Sequence, residues 1–356
     1  MGESRCASRC TGDGDDKMRM PPIDYFVKYD SLSRTFRVLA WKRSILPGWM
    51  GFDPNITSGL LTVPTQGITT YFRQFCASQS NQMADLFTPM ECRNLMFEDS
   101  SGGASDFTLQ FTDVSDGRVL QNAPVHILTI AGNAQLPAVL REPLWMRSSY
   151  GLRCVATKIS GTTPTVRIAF GGALYYPWGP DLDRDLDGAA EMRRVIEAWN
   201  ERRKYVAPFF LTPDAPNNPI VLTASQNKQV EIKVGDDGHF EAFALTMYNG
   251  GVNYSYSLME ARSKTYLSNG QIDGAAGIGS AQYPTLLPVP YLIPSGSKLV
   301  LNITDGGSGG TYWFTIQGRK IWAPLKNVGD VLNDTTVRTG MEMAPVETPR
   351  PMIIGV

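Results

Sequence analysis

The residues with the clearest chemical potential are three aspartates at alternate positions in the stretch DLDRDLDG. Asp183, Asp185 and Asp187 are followed by Gly188, which is the opening of an EF-hand type of calcium loop. Such a loop needs a glutamate at its twelfth position, and this sequence has Arg194 there. The three aspartates are therefore a weak candidate cation site, and capping of a following helix by Asp187 is the favoured interpretation.

A second motif, GGSGG at residues 306–310, matches the G-x-S-x-G pattern of a nucleophile elbow. A nucleophile elbow joins a strand to a helix, whereas this stretch joins two predicted strands. The two histidines, His126 and His239, have no partner for a catalytic triad in sequence order. A pair of carboxylates of the glycosidase type stays open, because the distance between acidic residues is not visible in a sequence. We expect no catalytic residue, no cofactor and no enzymatic activity.

The cysteines and the overall composition restrict the class of protein further. An odd number of cysteines at irregular spacing argues against a disulfide framework, and no cysteine is paired with histidine at zinc-site spacing; the five are Cys6, Cys10, Cys76, Cys92 and Cys154. The formal net charge is −1, which predicts no direct binding of nucleic acid. No run of about eighteen apolar residues predicts a membrane span, and the first twenty residues do not resemble a signal peptide. We expect a soluble protein of the reducing cytoplasm.

One irregular phrase occurs twice in the chain. Residues 132–146, GNAQLPAVLREPLWM, and residues 279–293, GSAQYPTLLPVPYLI, lie 147 residues apart and are identical at six of fifteen positions. The same offset aligns Leu120 with Leu267 and Asn122 with Asn269, and it places His126 opposite Asp273 and His239 opposite Cys92. The residues that define the repeat are Gly132, Gln135, Pro137, Pro143 and Gly171 in the first copy, and Gly279, Gln282, Pro284, Pro290 and Gly318 in the second. The sequence therefore predicts a tandem duplication of one domain.

The pattern inside each copy predicts strands. Phe107, Leu109 and Phe111 alternate with polar residues, as do their counterparts in the second copy, and this period of two places them on one face of a strand. With 34 Gly and 24 Pro in the chain, turns are frequent. The expected fold is all-β, with two antiparallel, jelly-roll-like β-sandwiches. The repeated phrase is predicted to be an extended crossover between sheets, because its prolines oppose pairing as a central strand.

These elements give a domain organisation. We predict a flexible N-terminal arm over residues 1–22 and a first sandwich over 23–178, with the repeat core at 71–177. A linker over 179–217 would contain one bridging helix at about 188–204, where Met192, Val195, Ile196 and Trp199 share a face. A second sandwich over 218–324 and an extended C-terminal tail over 325–356 complete the chain. Extended arms are ordered only against something else, so another protein chain is the expected partner.

The end of the second copy carries a resemblance. The segment IQGRKIW at residues 316–322, after a proline-rich phrase, resembles the last strand of jelly-roll domains in virion proteins of tailed bacteriophages. The earlier segment QVEIKVGDDGHFEAFALTMYNGG at 229–251 adds to this resemblance. The resemblance implies a non-enzymatic capsid-associated, collar or tail protein, assembled in the host cytoplasm and located in the virion. It also implies association with copies of itself and with other virion proteins. Trp322, Ile353 and Ile354 are the candidate assembly contacts.

Two alternatives remain open. The first is a double jelly-roll major capsid protein, which also carries two β-sandwiches in about this length. The second, from another functional class, is a pair of carbohydrate-binding sandwiches that recognises a host-surface glycan. Its candidate stacking residues are Trp145, Tyr175, Tyr176, Trp178, Tyr312, Trp313 and Trp322, although core packing is the favoured role for most of them.

Overall fold

The fold is seen in a computed structural model that describes most of the chain between residues 27 and 322. The described ranges are 27–30, 35–38, 45–52, 60–73, 89–100, 106–147, 151–175 and 186–322. Within them the chain forms two β-sandwiches, three helices and an N-terminal two-stranded hairpin, β1 (Val27–Asp30) with β2 (Thr35–Val38). The expected all-β class with antiparallel sandwiches is confirmed.

The first sandwich consists of two antiparallel sheets. One sheet has the order β3-β11-β6-β9, with β4 also paired to β11, and the other has the order β5-β10-β7-β8. The strands are β3 (Ile45–Gly51), β4 (Leu61–Thr62), β5 (Ile68–Arg73), β6 (Met90–Asp99), β7 (Phe107–Asp113), β8 (Val125–His126), β9 (Ala138–Met146), β10 (Gly151–Lys158) and β11 (Thr165–Tyr175).

The second sandwich repeats this arrangement. Its sheets have the orders β12-β21-β15-β19, with β13 paired to β21, and β14-β20-β16-β17, with β18 paired to β16. The strands are β12 (Val206–Leu211), β13 (Ile220–Leu222), β14 (Asn227–Lys233), β15 (His239–Tyr248), β16 (Tyr254–Glu260), β17 (Thr265–Tyr266), β18 (Ile272–Asp273), β19 (Thr285–Ile293), β20 (Lys298–Asp305) and β21 (Gly310–Ile321).

The strand pairing identifies both sandwiches as jelly rolls. If the eight strands β4 to β11 are counted from one to eight, the first pairs with the eighth, the second with the seventh, the third with the sixth and the fourth with the fifth. This is the pattern of a long hairpin rolled into two sheets, and it is the topology of a jelly roll. The second sandwich has the same pairs in the same order.

Each sandwich has its own apolar core. The predicted alternation places Phe107, Leu109 and Phe111 in the first core and Tyr254, Tyr256 and Leu258 in the second. Cys92 and Cys154 are free thiols buried in the first core, and burial raises the pKa of both. These two cysteines are therefore small core residues, as expected for Cys154 from its strand.

The bridging helix α2 (Leu186–Arg202) packs on the first sandwich. Met192 and Trp199 are buried, and Val195 and Ile196 are partly buried beside them, as the helical spacing predicts. The ring of Trp199 stacks on Trp145 of β9 with centroids 5.1 Å apart. The helix begins at Leu186, so Asp187 lies inside it and is not the cap residue that we predicted. Two short helices, α1 (Ile127–Ile130) and α3 (Gly274–Gly277), lie at equivalent places in the two sandwiches.

The repeated phrase forms a strand, so the prediction of a crossover is wrong. Its second half is β9 in the first copy and β19 in the second, and both lie at the edge of their sheets. In β9 the pairing with β6 jumps from Leu144 to Val139, and in β19 the pairing with β15 jumps from Tyr291 to Leu286. Four residues therefore bulge out opposite a single residue in each copy. The bulges contain Pro143 and Pro290, which are tolerated because an edge strand needs fewer N–H donors.

The structural equivalence of the copies also corrects the alignment. Gly318 pairs with Ala242 at the bulge of β15, and the residue that pairs with Cys92 at the bulge of β6 is Gly172, not Gly171. Cys92 is therefore the counterpart of Ala242 and not of His239. A Cβ atom would lie 1.9 Å from the Glu91 carbonyl oxygen at Gly172 and 2.1 Å from the Glu241 carbonyl oxygen at Gly318. Close backbone approach explains glycine at both positions.

Gly132 and Gly279 have one structural role. Each pairs in parallel with a strand of its own sandwich, and each carbonyl accepts a hydrogen bond from that strand, from Phe97 N–H (2.8 Å) and from Met247 N–H (2.8 Å). A Cβ atom at either glycine would overlap the backbone of the next turn. Gln135 and Pro137 follow Gly132 in the turn that leads into β9, as Gln282 and Pro284 follow Gly279 before β19.

The domain boundaries differ from the prediction at the linker. The predicted linker over 179–217 contains β12, which pairs with β21 and so belongs to the second sandwich. The VAPFFL strand contains Pro208, which is tolerated because β12 lies at the edge of its sheet. The predicted arms at 1–22 and 325–356, with Ile353 and Ile354, lie outside the described residues.

Candidate functional site: the joint between the sandwiches

The two sandwiches meet at a contact that we call the joint. It is formed by residues Leu120–Thr129 of the first sandwich, which include β8 and most of α1, against β12, β15 and β21 of the second. Phe210 of β12 is its apolar anchor: the side chain belongs to the core of the first sandwich, and the backbone N–H donates to the Leu120 carbonyl at 2.9 Å. Burial of one phenyl ring across the joint stabilises the contact by roughly 1.5–3 kcal/mol.

Asn122 clamps the backbone of the second sandwich. Its Nδ2 donates to the Thr212 carbonyl at 2.6 Å, and its Oδ1 accepts from the Thr212 N–H at 2.9 Å. The same Nδ2 lies 2.9 Å from Oδ1 of Asp214. One amide therefore satisfies both backbone groups of a residue that has left its strand, which fixes the register of the two sandwiches.

A buried polar cluster lies at the centre of the joint. Thr129 of α1 shares a hydroxyl–hydroxyl hydrogen bond of 2.8 Å with Thr315. The Thr129 carbonyl accepts from Oγ1 of Thr246 at 2.9 Å and from Nε2 of Gln317 at 3.0 Å. All four side chains are buried. Because a buried polar group without a partner costs about 1–3 kcal/mol, this network favours one arrangement over any displaced one.

His126 is buried beside this cluster. Its ring stacks on Tyr248 with centroids 4.5 Å apart and lies 5.2 Å from Trp313. Nδ1 accepts from the Leu128 N–H and so caps α1, while Nε2 lies 3.3 Å from Oδ1 of Asp106. We assign the neutral form with the proton on Nε2 from these partners. Burial lowers the pKa of His126, although Asp106 opposes this shift.

Ion pairs surround the joint. Arg203, at the end of α2, binds Asp113 and Asp116 of the first sandwich. A second chain of charges runs from Arg202 through Glu142 on β9 to Arg319 and Glu241 in the second sandwich, with Glu142 2.5 Å from Arg202 and 3.2 Å from Arg319. Glu142 is buried and paired on both sides, so these charges orient the sandwiches.

Two other carboxylates with shifted pKa values have structural roles. Burial raises the pKa of Glu91, whose carboxylate accepts from the Tyr175 hydroxyl at 2.5 Å and pairs with Arg93. In the GGSGG loop, the Tyr312 hydroxyl and the N–H groups of the loop hold the pKa of Asp305 below its usual value. This loop is organised by a carboxylate, and it joins β20 to β21, two strands that lie in different sheets.

The weak candidate metal site falls outside the described part of the structure. Asp183 and Asp185 lie outside the described residues, and the side chain of Asp187 is likewise not described. In the ranges given above, no group of three His, Cys, Asp or Glu side chains is placed to hold a metal ion. In the same ranges, no helix combines the length and the apolar character needed to cross a membrane.

The candidate assembly contact Trp322 is used within the chain. The Arg118 guanidinium of the first sandwich lies over its ring at 4.2 Å, and Nε1 of Trp322 is 3.4 Å from Asp237. Among the candidate sugar-stacking residues, Trp145, Tyr175, Tyr312 and Trp313 are buried. Core or joint packing is their role, as favoured from the sequence, and Tyr176 and Trp178 lie outside the described residues.

The edge strand β19 of the second sandwich is exposed, whereas its equivalent in the first sandwich, β9, is covered. On β9, helix α2 and strand β12 lie against the bulge, and Glu142, Leu144 and Trp145 are buried. The counterparts on β19 are Val289, Tyr291 and Leu292, and Val289 is 73% exposed. An exposed apolar edge strand is the kind of surface that associates with other chains.

Comparison with known proteins adds little to this description. No protein-family description and no curated protein sequence matches the chain. Among solved structures, the tandem CBM22 domains of Paenibacillus barcinonensis Xyn10C show 9% identity over 78% of this chain and 94% of theirs, with a TM-score of 0.16. The procruciferin 11S globulin of Brassica napus shows 8% identity over 80% and 86%, with a TM-score of 0.18. Infectious bursal disease virus, Gx strain, shows 10% identity over 79% and 72%, with a TM-score of 0.14. TM-scores this low carry no argument.

Proposed function

We propose that the protein is a non-enzymatic structural component of a virus particle and that it works by self-association. The observation that carries this proposal is the exposed apolar edge of β19, whose equivalent in the first sandwich is covered. Leu286, Val289 and Leu292 are exposed there, on a strand whose Pro288 and Pro290 remove backbone donors. A contact at this edge therefore uses apolar side chains and not an added strand.

Two further features support a structural role. The buried polar cluster and the ion pairs of the joint set the two jelly rolls in one fixed orientation, and a building block of a symmetric particle needs such rigidity. Glu91 and Asp305, two carboxylates with shifted pKa values, are held by hydrogen bonds inside the fold, to the Tyr175 hydroxyl and to the Tyr312 hydroxyl. The resemblance of residues 316–322 and 229–251 to tailed-bacteriophage virion proteins favours a capsid-associated, collar or tail position.

A double jelly-roll major capsid protein is the second candidate. The observation that favours it is the topology, because both halves of the chain are jelly rolls with the same strand pairs. The two candidates differ in the expected assembly. A major capsid protein of this type forms a trimer, whereas a collar or tail component forms a ring with a different number of subunits.

The test is the mass of the purified full-length protein by multi-angle light scattering over a wide concentration range. We expect a defined oligomer whose population rises with concentration, and substitution of Val289→Glu on β19 to shift it toward the monomer. Val221→Glu, at an exposed position of strand β13, is the matched control and is expected to leave the mass unchanged. A protein that stays monomeric at every concentration would overturn the proposal.

A further inference from the structure

The joint is formed by two different surfaces, one on each sandwich. Because the sandwiches are duplicates, each of them carries a version of both surfaces, and one surface on each sandwich is not used within the chain. Within the chain, the first sandwich contributes the α1 side and the second contributes the β12 side. The second sandwich has its own copy of the α1 side, which we call the Leu267 surface (Leu267, Asn269, Ala275 and Ala276). The first sandwich has its own copy of the β12 side, which we call the Trp49 surface (Trp49, Gly51, Met96, Ala169 and Gly171).

The equivalence of these surfaces follows from hydrogen bonds and register. Leu120 donates its N–H to Phe111 in β7, and Leu267 donates to Leu258 at the same place in β16. Phe209 pairs with Gly318 and Gly48 pairs with Gly172, so Phe210 and Trp49 are the next residues along equivalent strands. His126 and Asp273 each cap the short helix that follows.

The apolar anchors are buried in the joint and exposed in the unused copies. Leu120 and Phe210 are 3% and 5% exposed, whereas Leu267 and Trp49 are 40% and 69% exposed. A tryptophan with more than two thirds of its surface in solvent is unusual in a folded domain, and here it occupies the position of a buried anchor. In the joint, Leu120 and Phe210 cover each other. Leu267 is the equivalent of Leu120 and Trp49 is the equivalent of Phe210, so the two exposed side chains form the same kind of pair.

The polar clamp is also preserved. On Thr212, Asn122 binds backbone atoms alone, so any residue at the equivalent position offers the same donor and acceptor; its other partner is the Asp214 carboxylate. That position is Gly51 by register, since Leu211 and Met50 pair with equivalent residues of β21 and β11. Asn269, the twin of Asn122, is exposed.

The centre of the contact has changed on both sides together. In the joint, Thr129 is buried against the polar side chains of Thr246, Thr315 and Gln317. At the equivalent positions Ala276 faces solvent on one surface, and the other surface carries Met96, Ala169 and Gly171. In the joint, a polar residue faces polar side chains. Between the two unused surfaces, a small apolar residue faces an apolar patch, so these surfaces remain complementary.

From these observations we propose that the Leu267 surface of one copy docks on the Trp49 surface of the next copy, so that the joint is repeated between chains. This rests on the proposed function, since it adds a second contact between copies to the one proposed at the β19 edge. The contact is head-to-tail: two different surfaces meet, and every added copy leaves one of each open. In the joint, His126 stacks on Tyr248. At the equivalent positions of the unused surfaces, Asp273 takes the place of His126, and Glu98 and Arg167 take the places of Tyr248 and Trp313. The contact between copies therefore lacks the aromatic stack of the joint.

The experiment uses two full-length variants, each with one surface disabled. Trp49→Glu removes the anchor of one surface, and Leu267→Glu removes the anchor of the other. Both residues are exposed, so we expect the thermal unfolding of each monomer to match that of the wild type. Every protein in this experiment also carries Val289→Glu, which disables the β19 edge. By analytical ultracentrifugation we expect the Val289→Glu protein to associate through the two surfaces and each double variant alone to remain monomeric. An equimolar mixture of the two variants is expected to form heterodimers and nothing larger, because each partner then has only a disabled surface left.

The outcomes separate this inference from the proposed function. If the Val289→Glu protein associates and both double variants associate equally well, the head-to-tail inference is wrong and the proposed function stands. If the variants are monomeric alone and their mixture also stays monomeric, the two surfaces do not bind each other and the inference is wrong. If the wild type does not associate at any concentration, the proposed function itself fails. Val221→Glu again serves as the control, and its association should equal that of the Val289→Glu protein.

Discussion

At the scale of single residues, the glycines at the strand bulges decide whether the sheets can close. Gly172 lies against the Glu91 carbonyl so closely that a methyl group has no room. At its neighbour Gly171, a Cβ atom would meet the flexible end of the Met96 side chain at 3.2 Å and the Trp49 ring at an ordinary contact distance of 3.5 Å. Two adjacent glycines thus have opposite tolerance for the same substitution.

We therefore expect Gly172→Ala to destabilise the protein by about 3 kcal/mol, because the backbone of β6 must move to admit the methyl group. Gly171→Ala is expected to cost about 0.5 kcal/mol or less, since the Met96 methyl can rotate away. The measurement is the free energy of unfolding from urea denaturation of both variants. Equal losses for the two would contradict the structural assignment and restore the alignment of Gly171 with Gly318.

The sequence alone could predict that glycines mark the repeat, but not which glycine matches which. An ungapped comparison at an offset of 147 aligns β7 with β16 and β10 with β20, where it is right. The bulge of β6 and the bulge of β15 are 150 residues apart, because the loops that follow them differ in length. Local residue type cannot reveal such a shift, since neighbouring glycines are equally compatible with the pattern.

At the scale of elements, the joint depends on a few polar clamps, and the duplication supplies a matched control for one of them. Asn122 and Asn269 are twins, but within the described part of the chain only the Asn122 side chain has hydrogen-bond partners. Removing the Asn122 amide leaves the backbone N–H and carbonyl of Thr212 without partners in a partly buried place.

We expect Asn122→Ala to lower the free energy of unfolding by about 1–3 kcal/mol, because unsatisfied backbone groups carry a desolvation penalty of that order. Asn269→Ala is expected to leave the stability of the monomer unchanged within about 0.5 kcal/mol. Chemical denaturation of both variants, at a concentration where the protein is monomeric, is the measurement. A loss at Asn269 as large as that at Asn122 would mean that the twins have the same intramolecular role.

The elements themselves were largely predictable. Alternation of apolar and polar residues indicates the strands of both cores, and the face of Met192 and Trp199 indicates α2, because each period reflects a geometry that burial imposes locally. The edge strands β9, β12 and β19 were harder, since their prolines are typical of irregular structure. The joint could not be predicted, although Leu120 and Asn122 recur in the second copy. Their recurrence carried a signal beyond turn geometry, but the partners that they bind are set only by the tertiary arrangement.

At the scale of the whole molecule, His126 makes the orientation of the sandwiches sensitive to acid. Its folded pKa lies below the usual value because the ring is buried between the sandwiches, and Asp106 does not fully compensate. The unfolded chain therefore binds more protons once the pH falls below about 6.5. The stability that neutral His126 contributes is present above this pH and is lost as the pH falls below it.

We expect the free energy of unfolding of the wild type to decrease between about pH 6.5 and pH 5. His126→Asn keeps a capping side chain for α1 but cannot titrate, so its stability should decrease less over this interval. The measurement is a series of urea denaturations across the pH range. His239 is present in both proteins, and its contribution cancels in the difference between the two curves. Parallel curves would show that His126 does not carry this dependence.

The bulge on β19 has a consequence for the way in which such a protein can fail. A flat edge strand would let a foreign strand extend the sheet, which is the route to fibrils and to irreversible precipitation. Four residues that swell out opposite Phe243, with two prolines among them, interrupt that ladder. Chains that meet at this edge therefore meet as folded bodies that can separate again intact. In the assembly that we propose, this would make a high local concentration compatible with correction of misplaced copies.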